Sequence, residues 1–240
     1  MSFRNVYEDA RRAEAYARLE FPGTYYLAYR DLPEILSRHV KGKRALDFGC
    51  GTGRSTRFLK ALGFDGVGVD IAEEMLRLAR ERDPSGDYRL VREGGVRSLG
   101  LEPFDLVTAI FTFDNVPTAE RKIALFEELG DVLAKDGKIV SLVSAPEIYT
   151  HEWASFTTKD YPENRKARTG DRVRIVMTDV EDARPVEDIV WEDDAYRDVY
   201  ARARLRVLES CRPLARASEP YAWVSETKVS PWVIWVLARA

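Results

Sequence analysis

Three glycines spaced two apart, Gly49, Gly51 and Gly53, follow the apolar run Ala45-Leu46-Asp47-Phe48 and precede Arg54-Ser55-Thr56. Glycine reaches left-handed backbone angles at little cost, so such a run lets the chain turn sharply and approach a ligand closely. A helix that begins there offers unsatisfied N–H groups and a positive dipole end, which suit an anionic group. Further on, Val67-Gly68-Val69 ends in Asp70. A carboxylate at a strand tip can accept both hydroxyls of a ribose. Together these residues have the chemistry for holding a nucleoside.

Three nucleoside loops share these features. A P-loop needs Gly-Lys-Ser/Thr after four intervening residues, and no such run exists. A dinucleotide fingerprint needs its third glycine at the position of Arg54. The loop that binds S-adenosylmethionine tolerates Gly-x-Gly-x-Gly and carries an acid two residues before the first glycine, here Asp47.

The elements that must position these residues alternate. Strand-like runs at Arg44–Phe48, Gly66–Val69, Tyr88–Val91, Phe104–Phe111 and Lys138–Ser144 are separated by helical stretches at Thr52–Leu62, Ala72–Arg82 and Thr118–Leu133. Ala134–Gly137 reads as a turn before the fifth strand. Such alternation implies a parallel sheet with helices on both faces. Before it, Val6–Leu19 and Leu32–Val40 read as helices, broken at Phe21-Pro22-Gly23. After it, 145–188 lose the rhythm, with one strand candidate at Arg172–Met177. A helix at Asp194–Arg204 and strands at Leu205–Glu209 and Trp232–Leu237 then return to the sheet.

Composition sets the outer limits. The chain has 240 residues, 45% hydrophobic and 32% charged, with a net charge of −3. About 150 residues per domain is the usual prior, and α/β domains of this length fold as one unit. The expected organisation is a single domain, 1–240. It has an N-terminal helical cap over 1–43, a cofactor-binding core over 44–144 and a substrate-covering insertion over 145–190. Residues 191–240 complete the sheet. The charge balance argues against a binder dominated by phosphate contacts. Two cysteines and two histidines are too few for a disulfide scaffold or a Cys- or His-rich metal site, so no metal is expected. The longest apolar run, Trp232 to Ala238, is far short of the ~20 residues of a membrane span. A cytoplasmic protein is expected, with no membrane partner.

On the glycine loop, Asp47 and Asp70, the chain resembles the class I S-adenosylmethionine-dependent methyltransferases of small-molecule type. That resemblance implies a Rossmann-like seven-stranded, mostly parallel sheet in the order 3-2-1-4-5-7-6, the last strand antiparallel. It implies S-adenosylmethionine as cofactor. Gly49, Gly51 and Gly53 line its methionine and ribose part, together with Cys50 and Arg54 of the same loop. Asp47 holds the loop or the methionine amino group, Asp70 binds ribose, and Ile71 and Met75 pack on adenine. Glu93, next to Gly94, is the nearest substitute for an acid after the third strand. Tyr25, Tyr26 or Arg30 of the N-terminal segment meets the methionine moiety, and Phe111 faces cofactor and substrate.

Ligands of open α/β sheets lie beyond the carboxyl ends of the strands. That places Asp114 after the fourth strand, and Tyr149 and His151 after the fifth, as candidate catalytic groups; His151 is the first choice of general base. The expected activity is methyl transfer to O, N or C of a small-molecule acceptor. A non-catalytic S-adenosylmethionine-binding module and a tRNA-modifying methyltransferase stand as alternatives. DNA is not expected as a partner, because the run after the fourth strand, Phe113-Asp114-Asn115-Val116-Pro117, lacks an Asn/Asp-Pro-Pro-aromatic tetrapeptide. Oligomeric state is open.

Overall fold

The computed structural model describes residues 22–92, 95–181 and 184–240. The helix expected at Val6–Leu19 lies outside them, as do Glu93 and Gly94. The described residues begin with two short helices, α1 (Thr24–Arg30) and α2 (Leu32–His39). The alternating core follows as β1 (Arg44–Phe48), α3 (Arg54–Ala61), β2 (Asp65–Asp70), α4 (Glu73–Arg82), β3 (Asp87–Leu90), β4 (Phe104–Ile110), α5 (Ala119–Asp131) and β5 (Leu133–Ser144). Beyond β5 come β6 (Phe156–Thr157), β7 (Arg172–Met177), β8 (Val186–Ile189), α6 (Asp193–Arg202), β9 (Leu205–Cys211) and β10 (Trp232–Arg239).

Seven strands form one sheet in the order β3-β2-β1-β4-β5-β10-β9. β1 pairs in parallel with both β2 and β4, so the strand order reverses at β1. That switch point opens a crevice at the carboxyl ends of the strands. β10 enters antiparallel between β5 and β9. This is the Rossmann-like sheet and order that the resemblance implied.

The period of two in a strand decides which layer each residue serves. On β10, Trp232, Ile234 and Val236 pack with α1, α2 and the three-stranded sheet, whereas Val233, Trp235 and Leu237 pack with α5 and α6. Helix ends follow the dipole rule: α4 opens with Glu73 and Glu74 and closes with Arg80 and Arg82. The Thr118 hydroxyl caps α5 by accepting from the Arg121 N–H.

Two expected boundaries move. The turn expected at Ala134–Gly137 lies inside β5, where the ladder jumps from Phe104↔Leu133 to Leu106↔Lys138. A bulge accommodates the extra residues without ending the strand. The segment after β5 holds three strands, not one: β6, β7 and β8 form a small antiparallel sheet. β7 alternates, with Val173, Ile175 and Met177 buried and Arg172 and Arg174 exposed, so its apolar face turns inward. β6 has two residues and β8 has two acids in four, too little pattern to show in sequence. Among the described residues, no helix is long and apolar enough to cross a membrane.

Candidate active site

The loop between β1 and α3 holds Gly49, Gly51 and Gly53 at φ 73°, 54° and 76°, angles that side-chain-bearing residues rarely adopt. The N–H groups of Gly49 and Cys50 donate to the Val69 carbonyl at 2.8 and 3.0 Å, tying the loop to β2. A Cβ at Gly49 would stand 2.4 Å from the Thr112 hydroxyl oxygen. That hydroxyl is fixed by donating to the Phe48 carbonyl at 2.8 Å. Gly49→Ala therefore costs roughly 2–5 kcal/mol, from the left-handed backbone and from overpacking. Thermal melting should fall by roughly 5–15 °C. Gly63→Ala is the control: φ is 87° there, but nothing lies within 4 Å of the added carbon. Equal melting shifts in the two variants would remove the Thr112 argument.

Asp47 sits buried beneath the loop. Its Oδ2 accepts from the Ser55 and Thr56 hydroxyls, both at 2.6 Å, and its Oδ1 accepts from Thr108 at 3.0 Å. Burial pushes its pKa up, and the three hydroxyls oppose that shift. It joins β1, α3 and β4 and does not line the cavity above, so of its two expected roles the geometry favours holding the loop. At the tip of β2, Asp70 accepts from the Gly51 N–H at 2.8 Å and the Ala72 N–H at 2.9 Å. Burial raises its pKa against these backbone bonds.

Above this loop lies a cavity of about 250 Å³. One end is lined by Gly49, Cys50, Gly51, Arg54, Asp70, Ile71 and Met75. Gly53 lies just behind that wall, where an added Cβ would strike the Tyr88 ring. Ile71 is exposed at the wall and Met75 is buried. The Cys50 thiol also lines it, but burial and the charges of Asp47 and Asp70 push its pKa well up, so it is no ready thiolate. The Arg54 guanidinium, buried at the start of α3, lies 5.1 Å from the Tyr25 ring centre and 5.6 Å from that of Tyr29.

The other end is lined by Phe111, Asp114, Asn115, Ser144, Asp188 and Trp232. Phe111 has φ 61°, a strained left-handed angle that is an outlier for a bulky residue. Its ring packs 4.7 Å from Trp232 and 6.0 Å from Tyr25. Asp114, in the single turn Phe113–Asn115, accepts from the Ser144 hydroxyl at 2.9 Å and from the Ser144 N–H. Asp188 reaches in from β8 and accepts from the Tyr149 hydroxyl at 3.1 Å. The Asn115 amide, oriented by its hydrogen bonds, donates to Asp188 at 3.3 Å and to the Glu187 carbonyl at 3.2 Å. Behind them, Lys122 of α5 is fully buried and donates to the Phe113 carbonyl. Its ammonium lies 4.7 Å from the Trp191 ring centre and 5.2 Å from that of Tyr196. Burial and the Asp188 charge push Asp114 up to about 7, and burial pushes Lys122 down.

Three expected site residues stand elsewhere. His151 does not line the cavity; its Nδ1 lies 3.1 Å from the Glu147 carbonyl oxygen and 3.1 Å from the Thr150 hydroxyl. Half-buried after the single turn Pro146–Tyr149, with its ring 5.9 Å from that of Trp153, His151 stands off the cavity wall, which corrects its choice as general base. Tyr149 is buried behind the wall, its hydroxyl committed to Asp188. Arg30 bonds both oxygens of Asp31 and also Glu219 at 2.8 Å, so it is not at the methionine end; nearby acids claimed it first. Asp188 and Lys122 were not anticipated. Lys122 left a trace: with Phe126 and Leu129 it follows the i, i+4, i+7 stripe of the buried helix face.

Residues 46–141 match the family model described as a methyltransferase domain. Over 116 residues the chain is 33% identical to an uncharacterized protein of Methanocaldococcus jannaschii, covering 48% of this chain and 51% of that protein. It is 36% identical over 89 residues to a ubiquinone biosynthesis O-methyltransferase of Hahella chejuensis, 35% of this chain and 37% of that one. The chain thus spans about half the length or less of these curated relatives. Among solved structures it resembles the CcbJ methyltransferase of Streptomyces caelestis, with TM-score 0.66 and 17% identity over 95% of this chain and 96% of that one. It also resembles an S-adenosylmethionine-bound amino pentose methyltransferase of Micromonospora echinaspora, with TM-score 0.60 and 20% identity over 100% and 99%.

Proposed function

We propose that this chain, which carries a methyltransferase domain at residues 46–141 on a class I S-adenosylmethionine-dependent methyltransferase fold, transfers a methyl group to a small molecule enclosed beneath its three-stranded sheet. One observation carries the reading. A single cavity joins the glycine loop and Asp70 to a second end lined by Asp114, Asp188 and aromatic rings. A module that only senses the cofactor has no use for that second end, and a cover of Phe156, Ile175 and Met177 suits a small acceptor better than an RNA.

The residues present fit the cofactor. Each Asp70 oxygen already accepts one backbone N–H and keeps a lone pair for one ribose hydroxyl. Gly51 leaves open backbone at the wall. Arg54 offers a buried cation to the methionine carboxylate. Ile71 and Met75 give the adenine an apolar edge. When bound, S-adenosylmethionine supplies a sulfonium methyl already activated for displacement. The chain's own task is then to align an acceptor and exclude water. Aromatic rings such as Tyr25 and Phe111 can stabilise nearby positive charge by ~0.5–2 kcal/mol each. Asp114 and Asp188 are the groups able to take a proton from the acceptor.

Thermal stability with S-adenosylmethionine, S-adenosylhomocysteine and NAD added separately tests the reading. A ligand at ~100 times its dissociation constant adds about 2.7 kcal/mol. A response to NAD alone overturns the proposal, and a methyl-transfer screen against metabolite pools then seeks the acceptor. His151→Ala should leave kcat within about twofold of wild type, as for a substitution away from the site. A loss of tenfold or more would return the imidazole to the reaction.

A further inference from the structure

We infer that Thr24 and Glu226 are positioning residues: from behind the cavity they draw its aromatic wall together out of separate segments of the chain, and so set how tightly the cofactor is held. This rests on the methyltransferase reading above and adds to it residues that do not line the site.

Glu226 is fully buried, in the segment before β10, and stands outside the cavity lining. Its Oε1 accepts from the Thr24 hydroxyl of α1 at 2.6 Å and from the Ala154 N–H, ahead of β6, at 2.7 Å. Its Oε2 accepts from the Val224 N–H at 2.8 Å. A buried carboxylate is costly unless donors meet it, so this one holds α1 and the approach to β6 against its own segment. Thr24, also fully buried, completes the network. A hydroxyl has one proton and two lone pairs. That of Thr24 gives its proton to Glu226 and accepts from the Ser155 N–H at 3.1 Å. The Thr24 N–H donates to the Ser155 hydroxyl at 2.9 Å, and the Thr24 carbonyl accepts from the Trp232 indole N–H at 2.9 Å. Gly23 permits this close approach: its φ is 47°, and a Cβ there would stand 2.3 Å from the Ser155 hydroxyl oxygen.

Each segment joined in this way carries a ring into the cavity wall. Tyr25 follows Thr24, Phe156 follows Ser155, and Trp232 is bonded to Thr24 directly. The Tyr25 ring centre lies 5.1 Å from that of Phe156 and 6.0 Å from that of Trp232, and the last two are 5.9 Å apart. Tyr25 and Tyr29, one turn apart on α1, share a helix face, and the Arg54 guanidinium lies over both rings. Fixing Thr24 therefore also fixes the rings around the cation proposed for the methionine carboxylate. Apolar contact between rings has little directionality, whereas a fully satisfied buried hydrogen-bond network selects one arrangement. Without the network the binding-competent wall is only partly populated, and the apparent dissociation constant rises by the inverse of that fraction.

Isothermal titration of S-adenosylhomocysteine tests this. Thr24→Val keeps the shape of the side chain and removes the hydroxyl. It should raise the dissociation constant about tenfold or more, the size expected for losing a hydrogen bond to a charged group. Thr24→Ser keeps the hydroxyl and should stay within about threefold of wild type. Ser155→Ala removes the acceptor of the Thr24 N–H, should move the constant in the same direction, and decides if Thr24→Val does not fold. Val199→Ala trims the buried face of α6 in the opposite layer, so it should melt lower yet bind like wild type. Wild-type affinity in Thr24→Val, or in Ser155→Ala where that variant decides, overturns the inference. So does an equal loss of affinity in Val199→Ala, since any loosening of the fold would then suffice. Failure of the wild-type protein to bind S-adenosylhomocysteine counts against the proposed function, and so the two are told apart.

Discussion

Asp70→Ala should weaken S-adenosylhomocysteine binding by about 100- to 1000-fold, read by isothermal titration. Two contributions point the same way. The carboxylate offers one lone pair on each oxygen to a ribose hydroxyl, and a hydrogen bond to a charged group contributes ~1.5–3 kcal/mol. It also accepts from the N–H groups of Gly51 and Ala72, so its removal leaves both without their acceptor and loosens the glycine loop. Asp70→Asn separates the two. The amide keeps one carbonyl oxygen for the backbone but turns a donor toward the other N–H, so affinity should fall while melting changes less than in the alanine variant. Wild-type affinity in Asp70→Ala would show that the nucleoside lies elsewhere.

The glycine loop was legible in sequence because its cause is local. Positive φ at 49, 51 and 53 leaves few residue types available, and the carboxylates at 47 and 70 sit at fixed offsets from strand ends. Alternation of apolar runs and helices showed the parallel core for the same reason, whereas the strand order rested on the family resemblance. The acceptor end was not legible. Asp188 arrives from a four-residue strand whose place over the sheet depends on contacts far away in the chain. Arg30 offered a plausible cation, but Glu219, 189 residues later, fixes it in another direction. His151 lay two residues past a buried tyrosine, and the Glu147 carbonyl and Thr150 hydroxyl hold its ring off the cavity wall. Local backbone demands are written in sequence; the partner that captures a charged side chain is decided by tertiary packing.

Lys122→Met should be the most destabilising of these substitutions, with a cost set by pH. Methionine keeps the length and apolar character of the side chain and removes its charge. Asp114 then remains buried beside Asp188, Tyr149, Tyr196 and Ser144, without the Lys122 charge behind it. Removing one partner of a buried charge group costs ~3–5 kcal/mol. The folded-state pKa of Asp114 is raised to about 7, so its contribution to stability is full below the unfolded value of about 3.9 and is lost as pH rises through 7. Without the Lys122 charge, which holds Asp114 down, that pKa climbs further and the loss near neutrality deepens. At pH 5 Asp114 is protonated in both proteins. Burial already pushes Lys122 down, so wild type there carries a desolvated ammonium that the variant lacks. Denaturant unfolding should therefore show a large deficit for the variant near pH 7 that narrows or reverses near pH 5. An equal deficit at both values would mean that Lys122 stabilises the fold through packing alone and not through its charge beside Asp114.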